Sequence, residues 1–494
     1  MCSKRCKGCG NSPHLFSSPD ISPSKASLFD SESNRLTSIY PHDTIFRLDT
    51  KYTNKGGTTL IRSYLFTMLP AVLAFAFSGV YAIVDGFFVG QYIGDSGLAG
   101  INIAYPMTAL LQAVGTGIGM GGSIHMSISL GRGEDDQRQR FLGTTVSMLF
   151  LATIVLFLIL WPLHPHLLRL FGATGSVYDC GLDYIRMIIL GTAFQVFSTG
   201  LAPVFRNLNR SLFAMCAMMA GFITNIILDA VMISVLGLGM TGAGLATIIG
   251  QGVTATLCVI MLIVTERDMP RKLLIPDSWA ASRIITTGIS PFGLTMSPNL
   301  VIMLVNLAAV RHGGELAVAA YAVVSYVAVV IQLILQGVGD GSQPTMSLYF
   351  GENRVKDLHF ICKLAYGIAL GLSVGFSLLT VFGRAWFPAV FGSSPAAASM
   401  VGHILCIIAI GYPAIAIMRV TIAYFYSINF DRFAYVMVYG EPIVMAILLF
   451  VLPRFLDLEG VWIATPTVQI LMAVIALFFR HLARKKMHAQ SNKT

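Results

Sequence analysis

Twelve apolar stretches run at roughly residues 65–91, 98–128, 141–163, 181–205, 211–235, 241–265, 283–310, 316–348, 360–383, 397–427, 433–452 and 460–480, each long enough to cross about 30 Å of hydrocarbon as a helix. The bilayer core offers backbone groups no water to bond, so segments of this length must satisfy themselves as helices. Only 12% of the 494 residues are charged and 55% are hydrophobic, too little polar surface for a soluble globule of this size. The expected fold is an all-α polytopic membrane protein with twelve transmembrane helices.

The basic residues orient it. With the amino end cytoplasmic, the inner side carries eighteen: Arg132, Arg138, Arg140, Arg206, Arg210, Arg267, Arg271, Lys272, Arg283, Arg354, Lys356, Lys363, Arg432, Arg480, Arg484, Lys485, Lys486 and Lys493. The outer side carries four, Arg169, Arg311, Arg384 and Arg454. This asymmetry places both ends inside a cell membrane. A basic inner face beside anionic lipid also accounts for the net charge of +9 without nucleic acid.

Residues 1–61 read as a disordered cytoplasmic tail, rich in Ser, Pro, Asn, Lys and Asp, with no signal-peptide run. Cys2, Cys6 and Cys9 have a spacing that iron–sulfur clusters use, but no soluble domain follows to enclose one, so an incidental tail is the simpler reading. Cys180, Cys216, Cys258, Cys362 and Cys406 stand at no ligand spacing and read as small hydrophobes. No cofactor is expected. Residues 483–494 form a basic tail.

The chain repeats itself. Pro70, Asp85 and Tyr105 match Pro291, Asn306 and Tyr326; Gly117, Gly119, Gly121, Ser127 and Gly131 match Gly337, Gly339, Gly341, Ser347 and Gly351; Phe171, Gly172, Gly191 and Asn209 match Phe391, Gly392, Gly411 and Asn429. Residues 62–270 and 271–482 are thus expected to form two lobes of six spans. An even number of spans per copy makes the repeats parallel, with a central cavity between them. The glycines of the second span and of residues 237–244 read as close helix contacts, since a nucleotide loop would need a preceding strand.

Asp85 and Asp229 are each the sole charge in a long apolar stretch, Ser63 to Gly94 and Ser211 to Thr265. A carboxylate at the centre of a span costs about 2.5–3.5 kcal/mol on insertion scales, so its presence points to use. Asn225 and Asp229 share one helix face, and Asp85 with Thr247 or Gln251 could complete an oxygen cluster for a proton or a monovalent cation. The alternative is a carboxylate satisfied by hydroxyls or by Asn225 as a helix clasp. The second copy holds Asn306 and Leu449 at the matching places. Asp340 and Glu441 are further intramembrane acids, with interfacial or interhelical roles as alternatives, and Arg419 reads as a buried ion-pair partner for one of them. His125 and His403 read as core or interfacial polar residues. Spans of this kind show no nucleophile–base pair, no H-E-x-x-H and no paired histidines, which argues against an enzyme.

The stretch Val84-Asp-Gly-Phe-Phe-Val-Gly90, the glycine-rich second span ending at Gly131, the pair Asn225 and Asp229, and the repeated scaffold resemble the multidrug and toxic compound extrusion (MATE) transporters. The resemblance covers about residues 62–482. It implies a V-shaped two-lobed carrier that expels cationic, amphipathic drugs or metabolites in exchange for Na⁺ or H⁺ by alternating access. One branch of the family holds its coupling ion in the amino-terminal lobe, and the matching positions here are Asp85, Asn225, Asp229 and Thr247. Another branch uses acids in the seventh and tenth spans, where this chain has Asn299, Asn306 and Arg419. The substrate cavity would draw on Tyr81, Asn102, Tyr105, Met296, Asn299, Asn306, Tyr326, Asp340 and Glu441, each of which also reads as helix packing. The partners expected are small organic cations and membrane lipid, for a monomer in a bacterial cytoplasmic membrane. A lipid-precursor flippase or metabolite exporter of related architecture is the rival; a flippase would be expected to line its cavity with cations.

Overall fold

The computed structural model describes residues 57–267, 270, 275–390 and 395–491. Cys2, Cys6 and Cys9, most of the amino-terminal tail and the last three residues of the basic tail lie outside the described residues. Those described form helices and turns, with no strand among them. The first half comprises α1 (Gly57–Tyr92), α2 (Asp95–Gly131), α3 (Asp135–Leu170), α4 (Gly175–Leu190), α5 (Thr192–Asn207), α6 (Ser211–Asp229) and α7 (Gly239–Thr265). The second comprises α8 (Ser278–Gly351), α9 (Val355–Phe382), α10 (Trp386–Val390), α11 (Pro395–Ala409), α12 (Tyr412–Ser427), α13 (Asp431–Val451) and α14 (Pro453–Ser491).

A straight helix of 74 residues would run about 110 Å, far beyond a bilayer. Gly314 breaks α8 with φ 64°, a conformation that glycine adopts without a Cβ clash, and makes it the seventh and eighth spans. The fourth span is the bent pair α4 and α5, 62° apart at Gly191, and the tenth is α11 and α12, 47° apart at Gly411. Nine helices pass as spans by length and composition, and the two bent pairs with the break at Gly314 complete twelve among the described residues.

The internal repeat is written into the backbone. Positive φ occurs at Gly94 and Gly314, Gly133 and Asn353, Asn209 and Asn429, and Gly237 and Asp457, each pair 220 residues apart. Every one of these positions closes a turn between consecutive spans, so the two copies reverse direction at the same places.

The halves meet along α1 and α2 on one side and α8 on the other. Added methyl groups at Gly121 and Gly131 would collide with the Ile284 and Leu348 carbonyls, and at Gly337 and Gly341 with the backbone of Val72 and Met68. Small residues let these backbones touch directly. Tyr64 joins Ser342 by a 2.8 Å hydrogen bond, and His125 joins Thr287 at 3.1 Å. By the alternation of spans, these contacts fall mostly in the membrane half that carries the chain ends.

The connection between halves is fastened to α3. Arg138 holds the Glu266 carboxylate with two bonds, 2.9 and 3.2 Å, and Arg140 donates to Asp277 at 2.7 Å. Asp277 in turn accepts from the Ala280 backbone N–H at 2.8 Å, capping α8. Large apolar side chains such as Phe150, Leu158 and Phe382 remain exposed on outer faces, as surface meant for lipid requires.

Candidate functional site

Asn225 and Asp229 project from one face of α6 and are buried, at 2% and 0% exposure. Asp229 ends α6, and the chain continues through a π-helical turn, Ala230–Val235, of the kind that recurs at functional sites. α1 packs on α6 and brings Asp85 against Asp229, within hydrogen-bonding range. Asp85 Oδ1, both Asp229 oxygens, and Asn225 Oδ1 and Nδ2 are buried and unpartnered.

An ionised carboxylate only accepts, and two facing carboxylates out of water repel. The arrangement can take up one positive charge, as a proton shared between the acids or as a small cation among their oxygens and that of Asn225. Among the described residues no group of three or more His, Cys, Asp or Glu is placed to hold a metal ion.

Phenols surround the acids. Tyr81 stacks on Phe222, ring centroids 5.1 Å apart and planes at 10°, and lies within electrostatic range of both Asp85 and Asp229. Tyr184, on α4, is likewise within electrostatic range of both acids. The Thr247 hydroxyl donates to the Ala243 carbonyl at 3.0 Å and is within bonding reach of both phenols. Tyr326, from the eighth span, lies within range of Asp85 and is half exposed. Gln251 is occupied otherwise, since Ser198 donates to its Oε1. Sequence reasoning missed Tyr184, which on its own looks like one apolar-face residue of an amphipathic helix.

The remaining candidates divide. Asn102 and Tyr105 are exposed on α2. Met296, Asn299 and Asn306 are half-buried on the seventh span; Asn299 donates to its own helix at Thr295, whereas Asn306 Oδ1 is buried and unpartnered like its counterpart Asp85 Oδ1. Glu441 lines a separate, narrow cavity of about 30 Å³ within the second half, with Gln332, Thr465 and Gln469. Arg419 donates to Gln332 at 3.3 Å, with Glu441 in electrostatic range. Asp340 is away from Asp85, buried, accepting from Tyr426 at 2.7 Å and Gln336 at 3.3 Å.

A polar cluster lies between the halves, of which the sequence marked Ser127 and Ser347 only as matched positions of the repeat. Asn207 and Gln343 exchange two amide hydrogen bonds, and Ser127, Ser123 and Ser347 complete their bonding at 2.7, 3.1 and 2.8 Å. Beside it Arg206 is buried at 5% exposure, its Nε unpartnered, against Met120 Sδ and the Phe75 ring, with Asp340 in electrostatic range.

The MatE family profile matches residues 70–231 and 291–452, one copy of the repeat each. The multidrug export protein MepA of Staphylococcus haemolyticus is 21% identical over 439 residues, 87% of this chain and 95% of that protein. MepA of Staphylococcus aureus is 25% identical over 306 residues, 61% and 67% respectively. An outward-facing multidrug resistance MATE family transporter of the MOP superfamily shares the fold with TM-score 0.82 and 19% identity, over 88% of this chain and all (100%) of that one. A MOP superfamily transporter from Pyrococcus furiosus, described by a binding pocket of reverse polarity suggesting a different function, gives TM-score 0.81 and 19% identity, over 87% and 98%.

Proposed function

Since the chain belongs to the MatE family, whose members are transporters and not enzymes, we propose that it is a secondary active antiporter that exports cationic, amphipathic drugs or metabolites in exchange for Na⁺ or H⁺. The observation that carries this reading is the facing pair Asp85 and Asp229, with Asp85 Oδ1 and both Asp229 oxygens buried and unpartnered beside the unpartnered amide of Asn225. Multidrug export by the MepA relatives supports the substrate class.

In this reading both chain ends are cytoplasmic, and the contacts at Gly121, Gly131, Gly337 and Gly341 close the cytoplasmic side. The acids then lie in the outer half, where α1 ends, α6 ends and α7 begins. A cation entering from outside neutralises Asp85 and Asp229, and α1 bends near Pro70 or Gly79. That weakens the hold on an organic cation seated among Tyr81, Tyr184, Tyr105 and Tyr326, so ion entry and drug release become exclusive. One charge moving down 100 mV supplies about 2.3 kcal/mol before any concentration gradient is added.

The test is transport of a fluorescent organic cation in proteoliposomes under an imposed Na⁺ or H⁺ gradient. Asp229→Asn should abolish gradient-driven efflux while the protein still inserts. Full coupled efflux by that variant would overturn the proposal, and the gradient that drives the wild type names the ion.

A further inference from the structure

We propose that the cytoplasmic end of the twelfth span holds the phosphate of an anionic phospholipid headgroup, at a cluster formed by Arg480, Arg484, Tyr366 and Tyr424. The side of the membrane rests on the orientation proposed above; the cluster itself does not. Three helices converge there. The Arg480 guanidinium of α14 lies over the Tyr366 ring of α9, 4.3 Å from its centroid, and the charges of Arg480 and Arg484 both act on Tyr424 of α12. Lys486 adds a further cation over the Phe433 ring, 5.5 Å away.

Two donors in this cluster lack acceptors. Arg480 Nε is buried and unpartnered, and Tyr424, at 0% exposure, has a buried hydroxyl without a partner. Buried donors normally find acceptors, and leaving one unmet is costly. Among the described residues no carboxylate forms an ion pair with Arg480, Arg484, Lys485 or Lys486. The acids Glu352 and Asp357, at the head of α9, are both taken by Arg354.

A phosphodiester fits this set. Its two free oxygens can accept from a guanidinium fork and a phenol at once, and it carries the single negative charge the cluster lacks. Lipid is favoured over free phosphate by what lies next along α14. Leu471, Val474 and Phe478 repeat at three- and four-residue intervals and are exposed at 43%, 59% and 59%, an apolar stripe leading away from the basic end. Acyl chains laid on that stripe bring the headgroup to Arg480 and its neighbours, as basic pockets between helix ends do.

The test uses the full-length protein in detergent, probed with dioleoyl phosphatidylglycerol, dioleoyl phosphatidylcholine or inorganic phosphate. Lipid retention is read by native mass spectrometry and thermal stability by tryptophan fluorescence. Phosphatidylglycerol should be retained on the wild type and raise Tm, with the other two probes inert. Arg480→Gln should weaken retention about tenfold, and Tyr424→Phe, which keeps the ring and packing, about threefold. Arg311→Gln, outside this cluster, should leave it unchanged. Equal retention of the two lipids, or wild-type retention by Arg480→Gln and Tyr424→Phe, would overturn the site. An equal Tm gain with inorganic phosphate alone would overturn its assignment to lipid.

Discussion

The side-chain amides of Asn207 and Gln343 bond to each other in both directions, at 3.0 and 2.9 Å, across the boundary between the two halves of the chain. Each is buried, so parting the halves here breaks both bonds and leaves Gln343 Oε1 without its donor unless water enters. Replacing Asn207 with Ala should cost about 1–3 kcal/mol, because Gln343 is left unmet. The double variant Asn207→Ala with Gln343→Ala should cost less than the sum of the single ones. Unfolding of the four proteins in one detergent measures the coupling, and simple additivity would mean the pair does not act as a unit.

Asp85→Asn should make the protein more stable and less capable. The change keeps the side-chain shape, removes one of two facing carboxylates and supplies the donor that Asp229 lacks, a gain of order 1 kcal/mol. Gradient-driven efflux should fall at least tenfold. A variant with lower Tm and intact coupling would contradict both halves of this expectation.

Gly121→Val should be worse than any polar change at the boundary. Its side chain would drive into the Ile284 carbonyl, which is backbone and has no rotamer to yield. Overpacking of this kind costs about 1–3 kcal/mol or more. The expected result is loss of the monodisperse peak in gel filtration, while Gly367→Val, where the structure leaves open space, behaves as wild type.

Asp277 gives a pH dependence. The Ala280 N–H, and then Arg140, hold its carboxyl below the usual carboxylate range. The folded value thus lies under the unfolded value of about 3.9, so the stabilisation is complete above that value and is lost as pH falls through the folded one. Asp277→Asn should therefore lower Tm at pH 7, and its gap from the wild type should narrow as pH falls below the unfolded value. A gap that does not narrow on acidification would assign the effect to shape and not to charge.

Much of this was legible in residue order. Apolar length exposed the spans, and matching residues exposed the repeat, because both are properties of the chain itself. Asp85 and Asp229 could be named separately for the same reason: each is expensive where it stands. Their meeting depends on α1 packing against α6, which is tertiary. Tyr184 stayed hidden because a tyrosine costs little in a span and so announces nothing. Arg206 was counted among the charges that orient the chain, yet it lies between the halves, where a thioether and a ring surround it. The bends at Gly191 and Gly411 also escaped, since a glycine in an apolar run marks freedom without saying how far the chain turns.

The connection between the halves is pinned at both ends to α3, through Arg138 to Glu266 and through Arg140 to Asp277. In two polypeptides divided between residues 267 and 275, the Arg138–Glu266 pair would stay within the first, and Arg140 would meet Asp277 of the second. The repeat would then exist as two separate subunits, a heterodimer in which each gene could be altered without touching the other.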